Sequence, residues 1–296
     1  MRIGTVALAA VATLSCGSRP AQPEGMLTRY RLDAPPDSRV TLPAELHEVS
    51  GLAVTPDGRV FAHGDEHGVV FQVNPQTGEV VKRFSLRPGT EQLDLGKKSR
   101  DGQVAGDFED IAIVGDRFFL VTSNGVLLEF REGRDGEAVP FTAYPTALDQ
   151  ICEVEGLAYD PASDALLLLC KQMKDKGARH RVEIYSWSVR DRRLAERPRL
   201  TVPFSSLEPL TGAKAFNGSA LIFTPGGKSL AMVAGPQQVF AEVSLDGKPI
   251  MGGALDRAAQ PQPEGAAFLP DGTLLVSSEG GKGQASISSY EPGKGR

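Results

Sequence analysis

A short motif recurs five times along this chain, and each copy is followed by a tight turn and an apolar strand. Each copy starts with an acid or an amide and continues with small and apolar residues, beginning at Glu48, Glu109, Glu155, Asn217 and Glu264. The turns include Pro56-Asp57-Gly58 and Pro270-Asp271-Gly272, and Asp-Gly between apolar runs is a strong hairpin signal. Repeats of this size, with four antiparallel strands each, are typical of a β-propeller.

The remaining strands of each repeat are also visible in the sequence. Third strands are predicted at Val69–Val73, Val126–Phe130, Val182–Trp187, Val239–Val243 and Ala285–Tyr290. Fourth strands are predicted at Val80–Leu86, Leu194–Val202 and Pro249–Ala254. The motif count predicts an all-β propeller of five blades, and six blades are the alternative if insertion 87–107 or 203–216 hides a degenerate blade. The last blade lacks a fourth strand, so we expect residues 27–33 to supply it and close the ring.

The composition excludes several classes of protein. With 41% hydrophobic residues the chain can bury a core, which a disordered protein cannot do. The mean hydropathy of −0.18 excludes a polytopic membrane protein. A net charge of −5 without a basic stripe excludes a nucleic-acid partner. We predict a monomer with a single propeller domain over residues 27–296.

The N-terminus carries an export signal. Residues 1–15 combine an early arginine with an apolar stretch of signal-peptide length. The TLSC sequence that ends at Cys16 is similar to a bacterial lipobox, although Thr13-Leu14 replaces the usual leucine followed by a small residue. We predict lipidation at Cys16, a flexible tether over 16–26, and anchoring on the periplasmic side of a bacterial membrane, with the outer membrane favoured by Gly17. Ordinary secretion is the alternative.

The motif acids should meet at one mouth of the central channel. The first strand of each propeller blade lines this channel, so we predict a ring of metal-ligand candidates at Glu48, Glu109, Glu155, Asn217 and Glu264. Hard oxygen donors without His or Cys suit Ca²⁺ better than Zn²⁺ or copper. Two alternatives stay open, namely a structural latch to the backbone of the next blade and a catalytic role for one acid. Asp110 is expected to point elsewhere.

A second group of polar residues ends the second strands, which return to the same mouth. A ligand-binding rim is predicted at Asp65, Asn124, Lys171 and Glu279, with Lys171 beside Glu155. The catalytic candidates in this group are His63, Glu66, His67 and Lys171. The alternative interpretation is a charged, solvated rim.

Two cysteines remain after the proposed lipidation site. Cys152 and Cys170 lie on the first and second strands of one hairpin, at similar distances from its turn. In an oxidising compartment such a pair favours a disulfide, and two buried thiols are the alternative.

The order of the motifs resembles that of a known family. ELHEVSGLAVTPDGRVFAHGDEHG, GDFEDIAIVGDRFFLVTSNG, CEVEGLAYDPASDALLLLCK and PEGAAFLPDGTLLVSSEGG are similar to the SdiA-regulated family of bacterial membrane-anchored β-propellers. EGLA and PDG also resemble the wider phytase-like and lactonase-like propellers. The resemblance implies an extracytoplasmic propeller with a calcium site, and it does not imply a reaction.

Two functions follow from these observations. The first is a membrane-anchored, calcium-binding module for a small polar ligand or an envelope protein, which the absence of a G-x-S-x-G nucleophile elbow favours. The alternative is a metal-dependent hydrolase of a lactone, ester or phosphoester, with the ion at the channel mouth polarising the scissile group.

Overall fold

A computed structural model describes residues 25–87, 94–97 and 103–293 of the chain. These residues form five antiparallel sheets whose inner strands contact one another in a closed ring. The prediction of an all-β propeller with five blades is therefore confirmed. The predicted signal peptide and Cys16 lie outside the described residues. Within those residues, no helix has the length and apolar character needed to cross a membrane.

The blades are numbered here in the chain order of their inner strands, and each strand list runs from the channel outward. Blade 1 contains Val49–Val54, Val60–Gly64, Val69–Val73 and Val80–Leu86, with the short parallel strand Ala138–Val139 at its outer edge. Blade 2 contains Phe108–Val114, Arg117–Thr122, Val126–Arg131 and Phe141–Pro145. Blade 3 contains Cys152–Asp160, Ala165–Met173 and Arg181–Ser188, with Arg193–Leu194 and Leu200–Pro203 at its edge.

Blade 4 contains Ala220–Phe223, Ser229–Ala234, Val239–Ser244 and Pro249–Ala254. Blade 5 contains Pro263–Phe268, Leu274–Ser278, Ser286–Tyr290 and Ser38–Thr41. The α-helix Phe204–Thr211 lies in the insertion that follows blade 3. Single 3₁₀ turns occur at Met26–Arg29, Ala44–Leu46, Leu148–Gln150 and Lys176–Ala178.

The ring closes with a different segment from the one predicted. Ser38–Thr41 pairs with Ser286–Tyr290, whereas residues 27–33 begin in a 3₁₀ turn. Leu27 and Tyr30 are buried with side chains of blades 4 and 5. Their spacing of three residues matches a 3₁₀ turn, in which side chains three apart share a face. Met26, which the sequence placed in the tether, is already part of this turn.

The predicted fourth strand Leu194–Val202 is also interrupted. Arg193–Leu194 and Leu200–Pro203 pair with the same neighbouring strand on either side of Pro198. Proline has no N–H to contribute to a strand ladder, and this accounts for the break.

The hydrophobic core is divided among the interfaces between neighbouring blades. Phe61 of blade 1 meets Phe118 of blade 2 edge-on, with ring centroids 5.0 Å apart. Phe119 of blade 2 meets Trp187 of blade 3 in the same way, at 6.1 Å. Such pairs add to the stability that comes from burying the rings themselves. Each blade is therefore held mainly by its two neighbours.

One inner-strand acid latches two blades together. The Asp110 carboxylate is buried and accepts hydrogen bonds from Leu157 N of blade 3 at 2.7 Å and from Ile111 N at 2.8 Å. The latch that the sequence offered as an alternative role for the motif glutamates is thus formed by Asp110, their neighbour in the chain.

We expect Asp110→Ala to destabilise the fold. The substitution leaves two buried backbone N–H groups without an acceptor, which should cost roughly 2 kcal/mol or more of unfolding free energy. Urea denaturation of the variant would measure the loss, with exposed Asp33→Ala as the matched control. An equal stability of the two variants would show that Asp110 does not act as a latch.

The cysteine pair is a disulfide, as one of the two alternatives proposed. Cys152 and Cys170 are joined across the first two strands of blade 3, with Cα atoms 5.7 Å apart and a sequence separation of 18. Both residues are buried. The bond therefore ties together the hairpin that also carries Glu153, Glu155 and Lys171.

Removing this disulfide should lower the unfolding free energy by about 3 kcal/mol, because a loop of this length is no longer closed in the unfolded chain. The measurement compares urea denaturation of the Cys152→Ala/Cys170→Ala variant with that of the wild type. Dithiothreitol should destabilise the wild type and leave the double variant unchanged. An equal response of both proteins to the reductant would contradict this expectation.

Candidate functional site

A β-bulge interrupts the inner strand in blades 1, 2, 3 and 5. The pairing register shifts between Val49 and Gly51, between Phe108 and Asp110, between Val154 and Gly156, and between Pro263 and Ala266. A bulge inserts an extra residue and re-aims its side chain. The residues at this position include Glu109, Glu155 and Glu264, whose charges interact across blades 2, 3 and 5.

The bulges divide the predicted ring into two tiers. In blade 1 the bulged residue is Ser50, and Glu48 lies two positions earlier. In blade 4 the matching turn at Thr224 aligns Ser219, and not Asn217, with the glutamates. The inner tier is therefore Ser50, Glu109, Glu155, Ser219 and Glu264, and the outer tier is Glu48, Asp107, Glu153, Asn217 and Gln262. Aligning Thr55-Pro56 and Thr224-Pro225 with Asp160-Pro161 and Leu269-Pro270, instead of acid with acid, would have shown this from the sequence.

Glycine after the bulge allows the blades to approach closely near the axis. A Cβ atom at Gly156 would lie 3.0 Å from Leu221 N, and one at Gly265 would lie 3.0 Å from Leu52 N. Both contacts involve backbone of the next blade, which cannot move aside. The glycines thus bring neighbouring inner strands, and with them the inner-tier side chains, close together.

Lys171 provides a cation within this cluster. Its Nζ lies 2.6 Å from Glu155 Oε1 and 3.7 Å from Glu153 Oε1. Asn217 Nδ2 donates to the backbone carbonyl of Lys171 at 3.3 Å, while Asn217 Oδ1 accepts from Gln237 Nε2 at 2.8 Å. Asn217 therefore supports the strand that carries Lys171.

Burial and mutual repulsion perturb the inner-tier carboxyl groups. Burial, and then the charge of Glu155, raise the pKa of Glu109 to about 10. The same two causes raise the pKa of Glu264 to about 8. Burial raises the pKa of Glu155 to about 7, against the opposing effect of Lys171. Three carboxyl groups that share one ammonium are therefore not all ionised at neutral pH.

The acidic network continues outward to the rim. Lys97 Nζ lies 2.9 Å from Asp65 Oδ2 and 3.6 Å from both Glu66 Oε1 and Asp107 Oδ1. The charge of Asp65, followed by burial, raises the pKa of Glu48. Asp65 Oδ1 is buried and has no hydrogen-bond partner in the described part of the chain. Negative charge is thus concentrated at the solvent-facing rim rather than in the inner tier.

A cavity adjoins this rim on the side of blade 1. It has a volume of about 600 Å³, and its lining includes Glu48, Asp65, Glu66 and His67. Glu279 belongs to the same network, because burial and then the charges of Asp65 and Glu48 raise its pKa. The cavity extends from this acidic rim toward the outer strands of blade 1, where Arg83 and Phe84 line it.

Two of the predicted site residues, His63 and Asn124, are held by contacts within the fold. His63 is fully buried, and its Nδ1 lies 3.0 Å from the backbone oxygen of Gly64. Burial lowers the pKa of His63 to about 4. Asn124 accepts a hydrogen bond from Thr122 Oγ1 at 2.6 Å and donates to the backbone oxygen of Asp94 at 3.0 Å. By contrast, Glu66 and His67 are exposed at the rim.

The predicted metal ligands do not form a metal-binding site in this structure. Across residues 25–87, 94–97 and 103–293, no three His, Cys, Asp or Glu side chains are grouped closely enough to hold a metal ion. The donor chemistry suits Ca²⁺, but Glu48 and Asn217 belong to the outer tier and Glu155 already binds the Lys171 ammonium. As arranged, this set does not fit the ion, and calcium binding stays a prediction from the sequence.

Comparisons with known proteins agree on the fold. No family model and no curated protein matches the chain. Among solved structures, glutaminyl cyclase of Myxococcus xanthus is similar with a TM-score of 0.55 and 12% identity, over 86% of this chain and 94% of that one. The PQQ-bound aldose sugar dehydrogenase of Streptomyces coelicolor is similar with a TM-score of 0.50 and 13% identity, over 87% and 99%.

A luciferin-regenerating enzyme is similar with a TM-score of 0.50 and 11% identity, over 86% of this chain and 95% of that one. Identities this low show a shared propeller fold and nothing about activity. Membership of the SdiA-regulated family therefore stays a prediction.

The inner tier predicts how stability depends on pH. A carboxyl group whose pKa is raised in the folded state binds its proton more tightly there than in the unfolded chain, so stability falls as pH rises above the unfolded value. His63 has the opposite dependence below its ordinary pKa of 6.5, so the clean window begins there. Between pH 6.5 and 9, the unfolding free energy of the wild type should decrease.

Glu109→Gln should flatten this decrease by about 1 kcal/mol per pH unit, since one proton is no longer taken up on folding. Urea denaturation at several pH values in chelator would measure both slopes. Glu208→Gln, an exposed substitution on the helix, should retain the wild-type slope. A wild type that becomes more stable from pH 6.5 to 9 would contradict the assignment.

Proposed function

We propose that this chain is an extracytoplasmic, lipid-anchored binding module whose acidic channel mouth takes a ligand carrying ammonium groups. The observation that supports this is the charge of the mouth. Nine acidic residues are connected there through charge interactions, namely Glu48, Asp65, Glu66, Asp107, Glu109, Glu153, Glu155, Glu264 and Glu279. Among the described residues, Lys97 and Lys171 are the lysines within this network.

The excess of acids favours a positively charged ligand. Clefts lined by one sign of charge concentrate the opposite charge from solution. Glu48 and Glu66 are exposed and accessible to such a ligand, whereas Glu155 lies deeper and is already paired with Lys171. The ligand would therefore bind first at the rim, at the exposed carboxyl groups of Glu48 and Glu66. Either a small amine or a basic segment of an envelope protein fits this description.

Two parts of the proposal rest on the sequence alone. The lipid anchor depends on the pattern of residues 1–16, and the SdiA-regulated family depends on the order of the repeated motifs. No contact within the folded domain bears on either of them.

A hydrolase is the second candidate. Glu155 and Lys171 form a close acid–base pair at 2.6 Å, and paired groups of this kind serve as acids and bases in enzymes. The similar structures also include proteins named as enzymes, such as the glutaminyl cyclase and the sugar dehydrogenase. Shared architecture at this level does not transfer a reaction, so we place binding first.

The test uses tri-lysine as the probe and isothermal titration calorimetry of the purified full chain in neutral detergent. We expect binding at low ionic strength that weakens about tenfold or more at 0.2 M salt, because the contacts are electrostatic. The variant Glu48→Gln/Glu279→Gln should bind roughly three- to tenfold more weakly, since two rim charges are lost. The matched control Glu196→Gln/Glu208→Gln removes two exposed acids outside the network and should bind like the wild type.

Absence of tri-lysine binding, or equal binding by the rim variant and the control, would reject the binding function. The same preparations should be assayed on ester, lactone and phosphoester substrates with and without chelator. Turnover that Glu155→Gln abolishes would establish the hydrolase instead.

A further inference from the structure

One ammonium group already lies at the acidic rim, and it belongs to this chain. Lys97 is part of the short segment 94–97, which lies in the sequence between the fourth strand of blade 1 and the inner strand of blade 2. Its Nζ lies 2.9 Å from Asp65 Oδ2 and 3.6 Å from both Glu66 Oε1 and Asp107 Oδ1. Two of these acids follow the second strand of blade 1, and the third precedes the inner strand of blade 2. The lysine therefore bridges two blades at the mouth.

The segment that carries Lys97 has further contacts that hold it on the rim. Leu95 is buried in the hydrophobic cluster between blades 1 and 2. Its carbonyl accepts a hydrogen bond from Asp107 N at 2.7 Å, and Asn124 Nδ2 donates to the carbonyl of Asp94 at 3.0 Å. We therefore expect the segment to stay in place when the lysine side chain is replaced.

Gly96 lets the backbone of this segment approach Asp107. Its φ of +87° lies in the left-handed region, which residues with a Cβ atom rarely adopt. A Cβ atom at this position would also lie 2.7 Å from Asp107 Cβ. The close approach that brings the Lys97 ammonium to the three acids thus depends on this glycine.

The Lys97 ammonium is charged, and solvent reaches it. Burial opposes the charge, yet Asp65, Asp107 and Glu66 outweigh this effect and raise the pKa of Lys97 above its ordinary value. The side chain is 34% exposed. Ion pairs that are accessible to solvent contribute little free energy, because water and other ions replace either partner readily. An ammonium group from solution could therefore take the place of this lysine at small cost.

We propose that Lys97 is an internal ligand of the acidic rim, so that the first ammonium group of an arriving ligand must displace the Lys97 ammonium from its three carboxylate partners. This inference rests on the proposed function, and it assigns to that function a subsite and a built-in competitor. The lysine also indicates the chemistry that suits the subsite, namely a primary ammonium on a flexible aliphatic stem. Lysine side chains of a basic segment carry this group.

The deciding variant is Lys97→Met, which retains an unbranched stem and removes the competing ammonium. Tri-lysine binding would be measured by isothermal titration calorimetry of the full chain in neutral detergent at low ionic strength. We expect Lys97→Met to bind about fivefold more tightly than the wild type, because the ligand no longer has to break an existing ion pair. The matched control Lys228→Met removes a lysine from an exposed turn of blade 4 and should bind like the wild type.

A double substitution separates direct competition from a general effect of charge. Removing any positive charge near the mouth strengthens cation binding somewhat, even without a shared contact. Asp65→Asn removes the closest partner of Lys97, so in this background the further change Lys97→Met should improve binding by less than about twofold. A gain that stays near fivefold in the Asp65→Asn background would overturn the inference, because it would come from long-range charge alone.

The outcomes distinguish this inference from the proposed function. Equal tri-lysine binding by the wild type and Lys97→Met would overturn the inference and leave the binding function standing. Binding by Lys97→Met alone would support the inference, while the wild type would fail the test of the binding function. Absence of binding by both proteins would reject both proposals.

A second variant covers the case in which Lys97→Met does not fold. Lys97→Gln retains a hydrogen-bond donor for Asp65 but no charge, and it should also bind tri-lysine more tightly than the wild type. Loss of folding in both variants would overturn the inference, because Lys97 would then be required for the structure and could not be displaced by a ligand.

Discussion

The close approach of the inner strands around the channel is the constraint on which the rest of the structure depends. Gly156 and Gly265 leave no room for a Cβ atom against the backbone of the next blade, and Asp110 bonds directly to that backbone. The bulges beside these residues then direct side chains of blades 2, 3 and 5 toward one another. Acids far apart in the sequence come together in a space with little water, and burial, followed by their mutual repulsion, raises their pKa values.

Such a cluster reduces stability, since ionised carboxyl groups repel each other and lose hydration on burial. Lys171 offsets part of this cost, and the disulfide beside it holds the hairpin together. Clusters of perturbed titratable groups occur more often at functional sites than in ordinary cores. A ring of buried apolar side chains would close a propeller with a smaller loss of folding stability. That acids occupy these positions instead supports a binding role for the mouth.

The repeat unit, the blade count and the position of most strands follow from the sequence, because the Asp-Gly turns and the apolar strands recur at blade length. Which residues form the inner tier was not predicted from the sequence. Matching acid with acid puts Glu48 and Asn217 in the ring, whereas the pairing register and the turns put Ser50 and Ser219 at the level of Glu155. A bulge adds one residue without a compositional signal, so matching acid with acid hides it, and the turns that follow the inner strands are the part of the sequence that reveals it. The position of Lys171 beside Glu155 did follow from the sequence, because the first and second strands of one hairpin bring them to the same end, and the structure shows this contact at 2.6 Å.

The segment that leads into the closing strand also limits how far an anchored domain could lie from the membrane. Glu242 of blade 4 accepts the N–H groups of Met26 and Leu27 at 3.0 and 2.8 Å, and this clasp fixes the chain ahead of the closing strand. If Cys16 carries the lipid as proposed, residues 17–25 are the only chain between the anchor and the clasp. Nine residues span at most about 30 Å when fully extended. Such a tether would hold the whole domain close to the membrane surface, where basic segments of other envelope proteins are within reach.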